Sequence, residues 1–343
     1  MVGGANSKPT EQSEVSKGFD RGKWCGTPVD ATGTPATFAF VKVPCPDVLR
    51  WAESSVGEGA RVIGWSALRD GGNPWMLQFQ SQRVGQIAVL KVGSLSDPLD
   101  RKQLSTQVAA LGLAEELNVR APRVLGVDLE GRFTGVAALL TSALPGSTKM
   151  LQRTSVVRLH RLGALAASLH SFALSPRPEL PLRTRPLYDV DFSSWRNRVG
   201  SNELIDVADQ YVRDHDPPSS RTVLVHGDLW QGNTVWESSR CTGAIDWDCA
   251  GAGAAGIDLG TLRLDAALHY GLDAADQVIE GWRCSTGALP DEMPYWDLVA
   301  SLTTVDDMAL CRAPAEHGRS DIPSFLLGQR RDAFLRAALT QVL

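Results

Sequence analysis

Three polar residues in the second half of the chain, Asp228, Asn233 and Asp246, have the types and the spacing needed to hold a cation and to handle a hydroxyl proton. Carboxylate and amide oxygens are ligands that hard cations such as Mg²⁺ prefer, and a carboxylate can also orient or deprotonate a hydroxyl group. Taken singly, Asp and Asn after strands are ordinary turn formers. A turn does not require all three at these separations, so the joint pattern indicates chemistry.

The elements that would position these residues are three short apolar runs, and such runs are typical of buried strands. They lie before the first residue, after the second and before the third, at residues 222–225, 234–236 and 243–245. The sequence therefore predicts that the three polar side chains lie on loops fixed by strands. A histidine in this setting, His226, alone indicates only a satisfied and partly buried side chain.

The motif at residues 226–233, His-x-Asp-x4-Asn, has the spacing that protein kinases use for a catalytic Asp and a magnesium-binding Asn, and those enzymes place a further Asp after a strand. Gly227 stands here where protein kinases have Arg, and the sequence Ile-Asp-Trp-Asp at 245–248 replaces Asp-Phe-Gly. With these departures the stretch resembles the aminoglycoside phosphotransferase and choline kinase-like family of small-molecule kinases. The resemblance extends over residues 60–343 and is sharp between 222 and 260.

The resemblance implies an α+β, protein-kinase-like fold of two lobes, with an antiparallel-sheet N-lobe and a mainly helical C-lobe. It also implies that Asp228 accepts or orients the proton of an acceptor hydroxyl. Asn233 and Asp246 would hold Mg²⁺ bridging the phosphates of ATP or GTP. The expected division of the chain is a disordered tail, a nucleotide-binding N-lobe and a C-lobe with the catalytic and metal loops and the substrate site, at residues 1–24, 25–145 and 146–343.

The next candidate functional residue is a lysine inside an apolar run. Lys91 is the single charge in the run 86–92, which predicts a strand. A lysine in this position could face solvent at a sheet edge. Its context is similar to the Val-Ala-Ile-Lys strand of kinases, so the resemblance implies that Lys91 binds the α- and β-phosphates.

A glycine-containing segment, residues 66–73, lies between two predicted strands and ends in Gly71, Gly72 and Asn73. Its simplest interpretation is a hairpin loop. Relatives carry a Gly- and Ser-rich loop ending in Asn at this place, so the resemblance implies a loop folded over the nucleotide phosphates, with backbone amides close to the charge.

The helix predicted over residues 100–117 departs from the family pattern. Relatives carry a Glu there that pairs with the strand lysine, and the equivalent position is Gln107. A neutral partner accepts a weaker hydrogen bond than a carboxylate would. This departure motivates an alternative function, a catalytically weak nucleotide-binding scaffold. A hydrolase that uses a metal-bound water is a second alternative.

Two further residues are predicted to be structural. His170 ends a leucine-rich helix and is expected in the core. Asp258 precedes a helix at 259–270 that it could cap, whereas relatives use an Asp here to brace the catalytic loop.

Composition excludes several other classes of protein. The net charge is −5, from 34 basic and 39 acidic residues, so nothing indicates nucleic acid or a membrane surface as a partner. The six cysteines lack Cys-x-x-Cys spacing, which argues against a zinc or redox site. We expect a cytoplasmic enzyme, monomeric or homodimeric. The acceptor stays open between an antibiotic, such as an aminoglycoside or a macrolide, and a metabolic alcohol.

Overall fold

The computed structural model describes residues 43–69, 72–80, 86–200, 202–290, 292–304 and 313–343, with the side chain of Val199 excepted. The predicted tail at 1–24 and the predicted phosphate-loop residue Gly71 lie outside these ranges. The first part of the chain forms α1 (Pro46–Val56), β1 (Arg61–Arg69), β2 (Gly72–Gln80), β3 (Gln86–Gly93), α2 (Pro98–Glu116), β4 (Val124–Asp128) and β5 (Ala137–Ser142).

The second part is mainly helical. Its elements are α3 (Val156–His170), β6 (Leu182–Arg183), α4 (Phe192–Val199), α5 (Glu203–Asp214), β7 (Val223–Val225), β8 (Thr234–Glu237), β9 (Arg240–Ala244), β10 (Gly251–Gly253), α6 (Gly256–Tyr270), α7 (Leu272–Thr286), α8 (Met293–Ser301) and α9 (Ser324–Val342). Within the described ranges, no helix combines the length and the apolar character needed to cross a membrane.

Strands β1 to β5 form one antiparallel sheet in the order β1-β2-β3-β5-β4. Alternate residues of β2, Trp75, Leu77 and Phe79, are buried in an apolar cluster that also contains Trp51 of α1. Since β3 is the middle strand, Lys91 is not at a sheet edge, and the alternative of a solvent-facing edge lysine is wrong.

Helix α2 contacts the apolar cores of both parts of the structure. Asp97 caps its start by accepting a hydrogen bond from the backbone N–H of Leu99. Leu104, in its first half, packs with Leu139 of β5. Its second half, with Leu111 and Ala114, belongs to the large core of the helical part. The helix therefore ties the sheet to the helical lobe.

The helical lobe is built on close contact between α3 and α7. Ser155 caps α3 by accepting a hydrogen bond from the backbone N–H of Arg158. A Cβ atom at Gly163 would overlap the backbone of Val278, and one at Gly281 would overlap His160. Glycine at both positions lets the two backbones touch.

The segment that carries Asp228, Asn233 and Asp246 follows the predicted strands. β7 pairs with β10 in an antiparallel manner, and β8 and β9 form a hairpin, so the three predicted runs at 222–225, 234–236 and 243–245 correspond to β7, β8 and β9. The fold is the predicted α+β arrangement of an antiparallel sheet beside a mainly helical lobe.

Candidate active site

The loop between β7 and β8 brings two of the predicted residues together. The Asn233 side-chain nitrogen donates to the Asp228 carboxylate oxygen Oδ2 and to its backbone oxygen, both at 2.9 Å. Because Asn233 uses its amide nitrogen in this way, its side-chain oxygen is the atom that it can offer to a cation. The contact also fixes the orientation of the Asp228 carboxylate.

Asp258 holds the loop between β7 and β8 through hydrogen bonds to its backbone. Its buried carboxylate accepts hydrogen bonds from the backbone N–H groups of His226 and Gly227, both at 2.8 Å. His170 Nε2 donates to the same carboxylate at 3.2 Å, and Trp282 donates to His170 Nδ1, which places the His170 proton on Nε2. Burial alone would raise the pKa of Asp258, but the hydrogen bonds that it accepts from His170 and from the His226 backbone hold this pKa below its ordinary value.

Asp258 therefore braces the catalytic loop, as the resemblance implied. The alternative prediction, a cap on a helix at 259–270, is wrong because α6 begins at Gly256 and Asp258 lies in its first turn. His170 lies in the core as predicted, where it also positions the bracing carboxylate.

His226 and Gly227 fix the path of the loop between β7 and β8. His226 Nε2 donates to the backbone oxygen of Ile245 at 2.9 Å, so the catalytic loop is joined to the segment that carries Asp246. Burial lowers the pKa of His226, which favours the neutral ring. Gly227 has a φ of +78°, and a Cβ there would overlap the Cys249 oxygen, so only glycine suits this position.

Asp246 meets the strand lysine. Lys91 Nζ lies 2.9 Å from Asp246 Oδ1 and 2.7 Å from Asp248 Oδ2. It also donates to Gln107 Oε1 at 3.3 Å, so the predicted pairing of Lys91 with Gln107 is confirmed. Three oxygen atoms thus hold the ammonium group, and the neutral Gln107 supplies the longest of the three contacts.

Two charged residues that the sequence analysis did not single out also belong to this cluster. Asp248 makes the shortest contact to Lys91. Arg69, at the end of β1, donates from Nη2 to Asp246 Oδ2 at 3.0 Å. The sequence offered only one signal for Arg69, a charged residue close to two glycines, and surface hairpins show the same pattern.

These charges set the protonation of the site. Burial opposes ionisation of Asp246, but the charges of Lys91 and Arg69 hold its pKa well below the usual range. Burial, together with the neighbouring Asp246, raises the pKa of Asp248. Asp246 is thus the more readily ionised carboxylate of the two, which suits the cation-binding role predicted for it.

The predicted loop at residues 66–73 is much shorter than expected. Residues 66–69 and 72–73 belong to β1 and β2, with Arg69 opposite Gly72, so the expected long loop is wrong. Gly72 has a φ of +102°, which favours glycine. The Asn73 side chain exchanges two hydrogen bonds with the backbone of Val92, at 2.7 and 3.0 Å, and so holds β2 to β3.

A depression of about 460 Å³ lies where the sheet joins the helical lobe, beside the end of β5. Its lining residues are Gln86, Ile87, Arg123, Ser142, Ala143, Leu144 and Pro145. Ala143 donates its N–H to the Ile87 oxygen at 3.2 Å, so the segment after β5 is fixed against β3.

The donor set fits a hard cation bound together with phosphates. Among the described residues, no cluster of three or more His, Cys, Asp or Glu side chains could hold a metal ion by itself. Asn233 and Asp246 offer only oxygen atoms, and Ile245 N–H donates to the Asn233 backbone oxygen at 2.9 Å, which joins the two loops. Magnesium in phosphate-transfer sites typically takes one or two protein oxygens and completes its shell with phosphate and water.

Solved structures share this fold at low sequence identity. The macrolide 2'-phosphotransferase MphH from Brachybacterium faecium is 16% identical, with a TM-score of 0.54 over 84% of this chain and 97% of that chain. An aminoglycoside-3'-phosphotransferase of type VIII is 19% identical, with a TM-score of 0.50 over 75% and 98%. The amicoumacin kinase hAmiN, solved with AMP-PNP, Ca²⁺ and Ami, is 13% identical, with a TM-score of 0.53 over 80% and 88%.

No curated protein sequence matches the chain. Residues 68–293, well over half of its length, match the description of the phosphotransferase enzyme family (APH). The chain therefore belongs to the phosphotransferase enzyme family and is a small-molecule kinase.

Proposed function

We propose that the protein transfers the terminal phosphoryl group of ATP, or of GTP, to a hydroxyl group of a small molecule with the help of Mg²⁺. The observation that carries this proposal is the 2.9 Å contact between Lys91 of the sheet and Asp246 of the helical lobe. The contact brings together a lysine, whose charge suits phosphate, and a carboxylate, whose oxygens suit a hard cation, and this pairing supports the proposal. Phosphoryl transfer needs positioning and charge neutralisation more than covalent chemistry from the protein.

Asp228 is the residue proposed to act on the acceptor. Its carboxylate would orient the acceptor hydroxyl and take its proton as the new oxygen–phosphorus bond forms. Asn233 supports this role because it holds Asp228 Oδ2 at 2.9 Å and prevents the carboxylate from rotating. Asp258 acts one step further away, through the backbone of the same loop.

The nucleotide side of the cleft would be formed by residues of both lobes. Lys91 would bind the α- and β-phosphates, and the turn between β1 and β2, with Gly71 and Gly72, would cover them. Asn233 and Asp246 would hold Mg²⁺, which supplies charge neutralisation when bound. The depression beside residues 142–145 is proposed to take the base.

The weak-scaffold alternative loses its motivation in this geometry. It was based on the neutral Gln107, but Lys91 is also held by Asp246 and Asp248 at 2.9 and 2.7 Å. A charged partner is therefore present even though the helix supplies none.

Turnover in the presence of a mixed acceptor library tests the proposal. The protein is incubated with Mg²⁺ and ATP or GTP, with and without aminoglycosides, macrolides and small metabolic alcohols, while mass spectrometry follows the addition of phosphate. Acceptor-dependent release of nucleoside diphosphate with a phosphorylated acceptor is the expected result. Phosphate release without an acceptor would indicate a hydrolase, and nucleotide binding without turnover would indicate a scaffold.

A further inference from the structure

Arg69 is placed at the tip of the β1–β2 hairpin with its charge directed across the cleft. It is the last residue of β1 and lies opposite Gly72 in the hairpin register. Its guanidinium reaches Asp246 Oδ2 at 3.0 Å, although the two residues belong to different lobes. The side chain keeps 37% of its surface exposed, so it has room to move.

The contact between Arg69 and Asp246 uses a carboxylate oxygen that the proposed reaction needs as a ligand for Mg²⁺. Lys91 lies on Asp246 Oδ1 and Arg69 on Oδ2, so each oxygen of this carboxylate faces a protein cation. With Asp248 included, the cluster contains two positive and two negative side chains and is balanced without any ligand. A divalent cation on Asp246 would add two positive charges next to Arg69, and the two would repel each other.

When Arg69 leaves Asp246 it loses its hydrogen-bonded anionic partner, and Asp248 and Glu316 then act on it only through their charge. A bound nucleotide would bring phosphate oxygens to the same place, because Asp246 and the phosphates would hold the cation together. Guanidinium groups bind phosphate through two parallel hydrogen bonds, a geometry that the ammonium group of a lysine does not offer. The tip of the hairpin is also the part of the sheet proposed to cover the phosphates.

We propose that Arg69 is a phosphate-binding residue of this kinase that occupies the cation position on Asp246 while the nucleotide site is empty. When nucleotide and cation enter, Arg69 exchanges the Asp246 oxygen for oxygens of the β- and γ-phosphates. This inference rests on the proposed function and adds to it a second phosphate-binding cation besides Lys91.

Two binding measurements test the exchange, because the same substitution should weaken one affinity and strengthen the other. The probes are AMP-PNP with Mg²⁺, followed by calorimetry, and Mn²⁺ alone, followed by electron paramagnetic resonance. Arg69→Ala should weaken AMP-PNP binding by roughly tenfold or more, the effect of a charge-assisted phosphate contact. The same change should strengthen binding of Mn²⁺ alone, because a competing cation has been removed from Asp246.

Two further variants control the result. Arg61→Ala removes the same type of residue from the same strand, where the side chain is 70% exposed and 3.9 Å from Glu53, and should change neither affinity. Arg69→Lys keeps the charge but not the paired hydrogen bonds, so its AMP-PNP affinity should lie between those of the wild type and Arg69→Ala.

AMP-PNP affinity that is unchanged or higher in Arg69→Ala would overturn the phosphate-binding role, and Mn²⁺ affinity that does not rise would overturn the exchange at Asp246. In both cases wild-type binding of AMP-PNP would leave the proposed function standing. A wild-type protein that binds no AMP-PNP would overturn the proposed function and this inference together.

Discussion

Replacing Asp258 by Asn should destabilise the protein strongly, although the change removes one charge and almost no volume. The carboxylate is fully buried and accepts from His226 N–H, Gly227 N–H and His170 Nε2. An amide keeps one acceptor oxygen and turns an NH₂ group toward donors. With the amide oxygen at the Oδ2 position, His226 N–H and His170 Nε2 keep their acceptor, while Gly227 N–H and the new NH₂ group face each other without one. Each of these two buried donors costs about 1–3 kcal/mol, or about 2–6 kcal/mol in total.

Urea unfolding followed by tryptophan fluorescence measures this loss of unfolding free energy. The matched control is Asp273→Asn, the same substitution at an exposed position in the first turn of α7, where we expect a change within about 0.5 kcal/mol. If Asp258→Asn costs no more than Asp273→Asn, the bracing role of Asp258 is refuted.

The pH dependence of the same measurement gives an independent check. The pKa of Asp258 is lower in the folded protein than its ordinary value. A depressed carboxylate pKa contributes stability that is present above the unfolded pKa and is lost as the pH falls through the folded pKa. The stability difference between the wild type and Asp258→Asn should therefore shrink below about pH 4 and stay constant near neutral pH.

Three further substitutions separate the proposed roles in the cleft. Asp228→Asn should lower turnover by ~10²–10⁴ and leave the affinity for ATP and Mg²⁺ nearly unchanged, which steady-state kinetics and calorimetry together would establish. Asp246→Asn should lower turnover and also the magnesium-dependent part of ATP binding, so a calorimetric titration with and without Mg²⁺ that shows no difference from wild type would contradict its assignment as a cation ligand. Gln107→Glu should strengthen ATP binding or leave it unchanged, because a carboxylate 3.3 Å from Lys91 gives a charge-assisted contact. Weaker ATP binding by this last variant, with circular dichroism unchanged, would mean that Gln107 does not support nucleotide binding through Lys91.

The sequence was sufficient for residues whose function depends on local spacing. Asp228 and Asn233 are five positions apart in one loop, so the strand before the loop and the strand after it already bring them together. Gln107 was matched through the resemblance to the glutamate that pairs with the strand lysine in relatives, and it does contact Lys91. Asp258 received two interpretations because an Asp in the first turn of a helix suits both a cap and a brace, and only the position of the neighbouring loop decides between them.

Contacts that depend on how separate elements are placed could not be predicted in this way. Arg69 and Asp246 are far apart in the sequence and meet only because the hairpin tip overhangs the helical lobe. Asn73 binds the backbone of Val92 because of the register between β2 and β3. A shift of that register by one residue would turn its side chain to the other face of the sheet, and the sequence of β2 alone does not fix it.

The double attachment of α2 distinguishes two kinds of contact between the sheet and the helical lobe. Its second half is packed into the core of the helical lobe, while Leu104 in its first half is packed under the sheet. The two lobes cannot come apart along this helix without exposing apolar surface from one of these clusters. The contact of Arg69 with Asp246 is different, because it joins the lobes through a polar pair whose arginine side chain is 37% exposed. It can therefore break without uncovering an apolar core.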